Sequence, residues 1–228
     1  MGIKERRERE REEIRTKILD AARELFAREG YDAVSMRKIA EAIEYSPTAI
    51  YVHFKDKAEL MRELCVRDFG EMAAENRKVF ELADPIERIR ELGYQYIRFA
   101  AAHPNHFRLM FMTKPTADLE MSEDEAKRAG QGDPNQDGYA LLKMCVEQAM
   151  AQGRLRPELT DPDVVTQLLW AGVHGVAALH IVRPEHERWC RWSGVERLAR
   201  EMVDLLFRGL LKEGDPASHA SGKEVAQA

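Results

Sequence analysis

Apolar residues recur every three or four positions along most of this chain, and few stretches alternate apolar and polar residues as a β-strand would. The first stripe runs through Ile14, Ile18, Ala22 and Leu25, which places these side chains on one helix face. Later stripes follow helix-start dipeptides in which proline takes the first helical position. The pattern predicts an all-α protein of about nine main helices, with a polar loop over residues 113–133 that has room for a short helix after Ser122.

A compact motif lies between residues 35 and 56. Ser35 caps one short helix, and after a tight turn Ser46 caps a second helix of about two turns. Ile50 and Phe54, four residues apart, point inward from the second helix. Two short helices packed on a longer one predict a helix-turn-helix. The outer face of its second helix would carry groups able to bond phosphate or contact base edges, at Pro47, Thr48, Tyr51, Val52 and His53.

Composition permits a sizeable core but gives no support for a nucleic-acid partner. Of the 228 residues, 44% are hydrophobic and 33% are charged, which suits a helical protein with a well-solvated surface. The formal net charge is −5. Residues 1–60 carry equal numbers of basic and acidic side chains, so the excess negative charge lies in residues 61–228. An interaction with DNA must therefore be argued from pattern rather than from bulk charge.

Cysteine usage and hydropathy indicate where the protein is found. Cys65, Cys145 and Cys190 lie far apart without a CxxC pair, which indicates a reducing compartment. The first ten residues contain no apolar segment of the secretory type. Residues 164–182 carry no formal charge and could span a bilayer, but their polar side chains and glycines favour a buried helix. We expect a cytoplasmic protein that does not enter a membrane.

The chain is expected to fall into four parts. These are a charged extension over residues 1–13, the helix-turn-helix over 14–56, a helical regulatory and dimerisation domain over 57–212, and a tail without fixed structure over 213–228. Within the third part, the helices over 162–182 and 194–211 are apolar on more than one face. One side can pack within the subunit and the other in a four-helix homodimer interface. The alternative is a larger core in a monomer.

Residues 14–60 resemble the DNA-binding domain of the TetR family of bacterial transcriptional regulators. The most specific part is the run Tyr51-x-His53-Phe54-Lys55-x-Lys57. One departure is Glu44, where many family members have glycine as a left-handed turn residue. The stretch WAGVHG, from residue 170, is similar to a Trp…His-Gly signature of one C-terminal subgroup. The resemblance implies a nine-helix homodimer that binds a near-palindromic DNA operator and a small-molecule effector.

The resemblance also implies which residues contact DNA. Ser35 and Arg37 would hold phosphate at the second helix, and Tyr51 would bond another phosphate. Lys57 would add charge and a free backbone N–H at the start of the fourth helix. The groove or its edge would be faced by Ser46, Pro47, Thr48, Val52 and His53. For each residue the alternative is an exposed side chain without a role.

Candidate effector contacts combine large apolar side chains with a few polar groups: Tyr94, Phe107, Met110, Phe111, Trp170 and His174. Such a lining suits a mainly apolar small molecule. Trp170 and His174 are four residues apart and share a helix face. The alternative for each of the six is an ordinary place in the core.

Signals for catalysis or metal binding are weak. His103 and His106 have helical spacing, but Pro104 lies between them. The stretch from His186 to Cys190 begins like the zinc-binding HExxH motif but ends in cysteine. We expect no cofactor, no metal and no enzyme activity. The sequence predicts a ligand-responsive repressor, with an activator of the same fold and a helical enzyme or metal-binding protein as alternatives.

Overall fold

The computed structural model describes residues 2–113, 122–183 and 192–219, and these ranges contain ten α-helices and no β-strand. The all-α prediction is confirmed. The one helix beyond the nine predicted main helices is the short one after Ser122, in the region predicted as a polar loop. A 3₁₀ segment (Arg77–Glu81), a π-helical turn (Arg108–Met112) and a second 3₁₀ turn (Pro216–His219) are also present. The helices are α1 (Ile3–Glu29), α2 (Met36–Ala42), α3 (Pro47–Tyr51), α4 (Lys57–Asn76), α5 (Pro85–Ala102), α6 (Pro104–Phe107), α7 (Glu123–Arg128), α8 (Gly138–Ala151), α9 (Pro162–Val182) and α10 (Val195–Leu210).

Contacts divide the chain into two compact units. The sequence placed a boundary after residue 56, whereas the contacts keep the first part of α4 with the helix-turn-helix. The reason is that Leu60, Met61 and Leu64 of α4 are buried in the same core as α1 and α3. The first unit comprises Met1–Gly70 and Asn105–Glu125, and the second comprises Glu71–Pro104 and Ala126–Ala228.

The first unit is built around α1, which begins at Ile3 and therefore includes most of the charged N-terminal extension. The apolar stripe of α1 is buried from Ile18 to Phe26, and α2, α3 and the start of α4 pack against it. Burial of a large apolar side chain contributes about 1.5–3 kcal/mol, so this core orients both short helices. Its members from α2 and α3 and the loops beside them are Tyr31, Val34, Met36, Ile39, Ala40, Ile50 and Phe54.

A buried carboxylate joins three segments of the first unit. Asp68 on α4 is fully buried, and it accepts a hydrogen bond from Arg23 of α1 at 2.8 Å. Nδ1 of His106 lies 3.2 Å from the same carboxylate. A charge removed from water is stable only when it is paired. Asp68 therefore holds α1, α4 and the segment that carries His106 in one arrangement.

The second unit is a bundle of α5, α8, α9 and α10. α9 packs on the other three helices, and α5 packs on α8 and α10. Gly172 permits the close approach of α9 to α10, because a Cβ at this position would lie 2.8 Å from a methyl carbon of Leu206. Core residues of the four helices include Ile86, Ile89, Leu141, Val146, Val165, Leu169, Val173, Val203 and Phe207.

The segment after α10 folds back on the second unit. Two nitrogens of Arg154 donate to the carboxylate of Asp215, and this contact lowers the pKa of Asp215 below its ordinary value. Ala217 is buried. The prediction of a tail without fixed structure is therefore wrong for residues 213–219, because the partner of Asp215 lies far away in sequence. Residues 220–228 lie outside the described residues.

The starts of α8 and α10 are set by local turns. Asp137 caps α8, whereas the nearby Asp133 carboxylate bonds Asn135 within its own turn. α10 is capped by Gly194 without a side-chain hydrogen bond. Each stretch offers adjacent residues that could begin the helix, and the local turn selects one of them.

Helix α9 is long and apolar enough to cross a bilayer by length and composition alone. Seven of its residues are buried within the second unit, which is expected for the central helix of a bundle. Burial among the other helices accounts for part of the uncharged stretch, while Val164, Leu168, Leu179 and Val182 are exposed in the single chain.

Two of the three cysteines, Cys65 and Cys145, are free. Burial raises the pKa of each thiol to about 11. Neither thiol is therefore a reactive thiolate near neutral pH. Cys190 and His186 lie outside the described residues.

The turn between α2 and α3 contains a left-handed residue. Glu44 has a φ of 61°, and its N–H bonds the carbonyl of Glu41 at 3.2 Å. The N–H of Tyr45 bonds the carbonyl of Ala40 at 2.9 Å. These two bonds form the Schellman arrangement that ends a helix. Because a left-handed conformation costs a non-glycine residue about 1–2 kcal/mol, Glu44 occupies a position that glycine would fill without strain.

We expect Glu44→Gly to increase the free energy of unfolding by about 0.5–1 kcal/mol. Relief of the left-handed conformation should exceed the extra freedom that glycine gains in the unfolded chain. Thermal unfolding of the full chain measures the change. Glu41→Gly, a control within α2, should lower stability by about 1 kcal/mol. A lower unfolding temperature for Glu44→Gly would contradict a strained turn.

Candidate nucleic-acid interface and effector site

One side of α3 is open to solvent because the other side is anchored in the core. Ile50 is fully buried, and the hydroxyl of Ser46 caps the helix by accepting a backbone N–H at 3.2 Å. On the open side, Tyr51 is 54% exposed and Val52 is 66% exposed. Five predicted DNA contacts are exposed together on this short helix and its ends: Ser46, Pro47, Thr48, Tyr51 and Val52.

Arg15 of α1 fixes the end of α3. Its Nη1 donates to the carbonyl of His53 at 2.6 Å, and its guanidinium lies 4.3 Å from the centre of the Phe54 ring. Its Nη2 pairs with Glu63 of α4. Carbonyls at a helix end favour a nearby cation, so Arg15 is a positioning residue for α3. Its role was not predicted from the sequence, where the only signal is its place on the face of α1 that continues into the core.

His53 is less exposed than its neighbours on α3. Burial, and after it the positive charges of Arg11 and Arg15, lower the pKa of its imidazole below the ordinary value. Among the described residues, its buried Nδ1 has no hydrogen-bond partner. A neutral imidazole can donate one hydrogen bond and accept another. His53 therefore suits a contact at the edge of a groove rather than a charged contact with phosphate.

Lys57 makes contacts within the first unit. Its ammonium donates to the carbonyls of Tyr31 at 2.8 Å and Val34 at 3.0 Å. It also lies 4.1 Å from the centre of the Tyr31 ring. The side chain therefore closes the loop between α1 and α2. Its predicted DNA role, which adds charge and a free backbone N–H at the start of α4, stays a prediction.

Ser35 and Arg37 are exposed at the start of α2. The hydroxyl of Ser35 accepts the backbone N–H of Lys38 at 3.2 Å, and the guanidinium of Arg37 pairs with Glu41 at 2.8 Å. An exposed ion pair one helical turn apart contributes about 0.3–0.5 kcal/mol, so a phosphate could replace Glu41. The DNA-binding roles of all nine candidates stay predictions.

In the second unit, Tyr96 joins two of the predicted effector contacts. The indole N–H of Trp170 donates to the Tyr96 hydroxyl at 3.0 Å, and this hydroxyl lies 2.9 Å from Nδ1 of His174. Burial lowers the pKa of His174, so the neutral imidazole can accept a hydrogen bond from the Tyr96 hydroxyl. Trp170 is 37% exposed, which leaves this group partly open to solvent. The sequence analysis missed Tyr96 because only the packing of α5 on α9 brings it to Trp170.

The other four effector candidates have ordinary surroundings. In the first unit, Phe107 is fully buried with its ring 4.9 Å from that of Phe111, and Met110 is half-buried. Tyr94, in the second unit, is half-buried as well. An apolar cavity within the second unit has a volume of about 10 Å³, and none of the six candidates lines it. Ligand sites usually measure about 300–1,000 Å³, so the effector contacts stay predictions.

Helices α9 and α10 each have an apolar side exposed in the single chain. On α10, Leu205 is 61% exposed. A Cβ at Gly175 or Gly209 would meet open space, whereas one at Gly172 would meet Leu206 of the same chain. The apolar residues of the two helices that were predicted to form the dimer therefore fall into two groups. Gly172 and Leu206 pack within the subunit, whereas Gly175 and Gly209 do not. The exposed apolar side of α9 carries Val164, Leu168, Ala171, Leu179 and Val182, with the half-buried Gly175 midway between Ala171 and Leu179.

Two family models match the chain. Residues 18–64 match the model described as bacterial regulatory proteins, tetR family. Residues 89–207 match the model described as tetracyclin repressor-like, C-terminal domain, and this second match alone covers more than half of the chain. The matches include the helix-turn-helix and the α5–α10 region that contains the Tyr96 cluster.

Curated relatives are similar over different lengths. The regulator AcrR of Shigella flexneri is 38% identical over 86 residues, which are 36% of this chain and 40% of AcrR. The chain thus matches about two fifths of the first relatives' length. The repressor KstR2 of Mycobacterium tuberculosis is 24% identical over 215 residues, which are 88% of this chain and 94% of KstR2.

Solved structures share the fold. That of KstR2 has a TM-score of 0.64 at 22% identity, covering 87% of this chain and 95% of that one. FadR from Bacillus subtilis, solved in complex with stearoyl-CoA, has a TM-score of 0.66 at 17% identity, covering 85% and 98%. These relatives are named as transcriptional regulators, so the enzyme alternative is set aside. With both family models matched over its two parts, the chain belongs to the TetR family of bacterial regulatory proteins.

Proposed function

We propose that the protein is a homodimeric transcriptional repressor that binds a near-palindromic DNA operator and leaves it when a small molecule binds. The observation that carries this proposal is the exposed outer face of α3. Its hydroxyl, ring and methyl groups stand on a short helix whose inner face is anchored in the core. Such a helix can enter the major groove of B-DNA, which is about 12 Å wide.

The residues of this face divide into base readers and phosphate contacts. Thr48 offers a hydroxyl and a methyl group and Val52 offers two methyl groups, which can bond a base edge or contact the methyl group of thymine. The hydroxyl of Tyr51 is suited to phosphate, as are Ser35 and Arg37 of α2. The contacts expected at the edge of the groove are those of Ser46, Pro47 and His53.

Repression is favoured over activation by the names of relatives. KstR2 and a second mycobacterial relative, Rv1474c, are both described as transcriptional repressors. An activator of the same fold would bind DNA through the same face but raise transcription. A reporter gene fused to the bound promoter distinguishes the two, because deletion of the regulator raises expression only if it represses.

Selection from genomic fragments should recover DNA that the full chain binds more tightly than random sequence. Thr48→Ala and Val52→Ala should change which bases are preferred, because these side chains reach base edges. Arg37→Gln should weaken binding to all sequences alike. It should also reduce the slope of log K against log salt by about 0.9, the value for one phosphate contact. Titrations at several salt concentrations measure both effects.

The matched control for Arg37→Gln is Arg28→Gln, which removes the same charge from the last turn of α1. If both variants change the salt slope equally, Arg37 is not a phosphate contact. If selection recovers nothing tighter than random DNA, the protein is not a sequence-specific regulator.

We propose that the dimer forms through the exposed apolar sides of α9 and α10. Contiguous exposed apolar surface on a soluble protein marks an interaction site. A two-fold axis would bring α9 and α10 of both subunits into one four-helix interface. Gly175 and Gly209 would permit close approach there, because both face open space in the single chain.

Two adjacent leucines of α10 should respond differently to a charge. Leu205→Asp should give folded monomers, because Leu205 is largely exposed in the single chain. Leu206→Asp should lower the free energy of unfolding by about 2–3 kcal/mol, since Leu206 packs against Gly172. Sedimentation measures the first effect and thermal unfolding the second. The monomer should also lose most of its operator affinity, because each subunit reads one half-site.

A Leu205→Asp protein that dimerises with unchanged affinity would exclude this interface.

We propose further that the effector is a mainly apolar molecule with a polar group, bound by the second unit at Tyr96, Trp170 and His174. These three side chains offer linked hydrogen-bonding groups beside an apolar core. The stearoyl-CoA bound to FadR supports this class of ligand. A ligand releases DNA only if it binds the DNA-free arrangement more tightly. Tyr94 is a further candidate in the same unit, whereas the predicted contacts Phe107, Met110 and Phe111 belong to the first unit and stay separate predictions.

Tyr96→Phe should reduce the response to the effector without changing operator affinity. The substitution keeps the shape of the side chain, so it leaves no cavity. A molecule found by screening apolar acids for release of the selected DNA serves as the probe. The concentration needed for release should rise about tenfold, which corresponds to about 1.4 kcal/mol. Tyr139→Phe, which alters another ring in contact with Trp170, is the control. Equal release by both variants would place the effector elsewhere.

A further inference from the structure

The face of α1 that packs in the core continues beyond the core towards the N-terminus. Ile18 and Ala22 are fully buried, and Arg15 on the same face contacts the end of α3. Arg11 and Arg7 follow one and two turns further out, and both are exposed. At 1.5 Å per residue they lie about 6 and 12 Å beyond Arg15 along the helix axis. This part of the face has no core left to cover.

On this face of α1 basic residues follow one another at a spacing of one turn, whereas elsewhere in the extension each basic residue is followed by a glutamate. Arg7 is followed four residues later by Arg11, and Arg11 by Arg15, so like charges lie one turn apart. Each such pair destabilises a helix by about 0.2–0.5 kcal/mol. The neighbouring basic residues instead have glutamate four residues later, in the pairs Lys4–Glu8, Arg6–Glu10 and Arg9–Glu13.

Arg7 and Arg11 have neither a hydrogen bond nor an ion pair in the part of the chain that the structure describes. A row of unpaired, mutually repelling cations is stabilised when an external anion binds. The row continues the face of α1 that reaches the end of α3, where Arg15 donates to the carbonyl of His53. The anion that α3 would approach is DNA, which carries one charge per about 1.7 Å of duplex.

We propose that Arg7 and Arg11 form an arginine ridge that binds backbone phosphates of DNA beside the groove occupied by α3. The proposal rests on the proposed DNA-binding function. Such contacts position the protein but carry no sequence information. The ridge would explain how a chain with a formal net charge of −5 holds a polyanion. Its cations are local, while most of the surrounding acidic residues of α1 are neutralised by their own partners.

The test compares two double variants of the full chain. Arg7→Gln with Arg11→Gln removes the ridge, and Arg6→Gln with Arg9→Gln removes two ion-paired arginines from the opposite side of the same helix. Both change the net charge equally. The probes are a duplex selected from genomic DNA by the unmodified protein and a scrambled duplex of the same length. Affinity is measured from about 50 to 200 mM salt, the range over which phosphate contacts change affinity strongly.

Loss of the ridge should flatten the slope of log K against log salt by about 1.8, or about 0.9 for each lost contact. The affinity lost should then be about tenfold greater at the low end of the salt range than at the high end. The effect should be equal on the selected and scrambled duplexes. The opposite-side variant should keep the slope, and Arg7→Lys with Arg11→Lys should keep it too. Circular dichroism should report unchanged helix content in all variants.

Two results would overturn the proposal, and they differ in what else they exclude. If the unmodified protein binds the selected duplex but the ridge and opposite-side variants change the slope equally, the ridge is excluded and the DNA-binding function stands. If the unmodified protein binds neither duplex, both the ridge and the proposed function fail.

Discussion

The position of the exposed helix depends on one guanidinium. Arg15 bonds the carbonyl of His53, lies over the ring of Phe54 and pairs with Glu63, so α1, α3 and α4 meet at a single side chain. α3 has only five residues, whereas isolated helices shorter than about 12–15 residues are marginal in water. Its direction must therefore be imposed from outside. Burial of Ile50 anchors its inner face, the Ser46 hydroxyl caps its first turn, and Arg15 holds the residues that follow its last turn, which leaves the outer face exposed to solvent.

Other charged side chains of the first unit are also bonded to partners within it. Lys57 is used to close a loop through two carbonyls, and Asp68 is buried because Arg23 compensates its charge. Basic residues near the helix-turn-helix therefore differ in how available they are to an external anion. This difference cannot be recognised from their residue type or their position in the sequence. A basic residue bonded to backbone carbonyls or to a buried carboxylate is less available to an external anion than an exposed one, so the number of basic residues in a segment says little about its affinity for DNA.

In the second unit, α9 has two different apolar sides. One side is buried among α5, α8 and α10, and the other is exposed in the single chain. Gly172 and Gly175 illustrate the difference, since the first lies against Leu206 and the second faces open space. The polar groups within this apolar helix are satisfied locally or by α5: Thr166 donates to the carbonyl of Pro162 at 2.7 Å, and Trp170 donates to Tyr96.

The sequence by itself determined the all-α class, most helix starts, the helix-turn-helix and the outward face of α3. These features follow from local rules: cap residues, prolines at the first helical position, and apolar spacing within one helix. Tertiary structure decided which side chains are available. Arg15, Tyr96 and the partner of Asp215 were missed, because each acts across helices that are distant in sequence. The contacts of the Lys57 ammonium were missed for the same reason, since no spacing rule within one helix reveals that two carbonyls from another loop bond it.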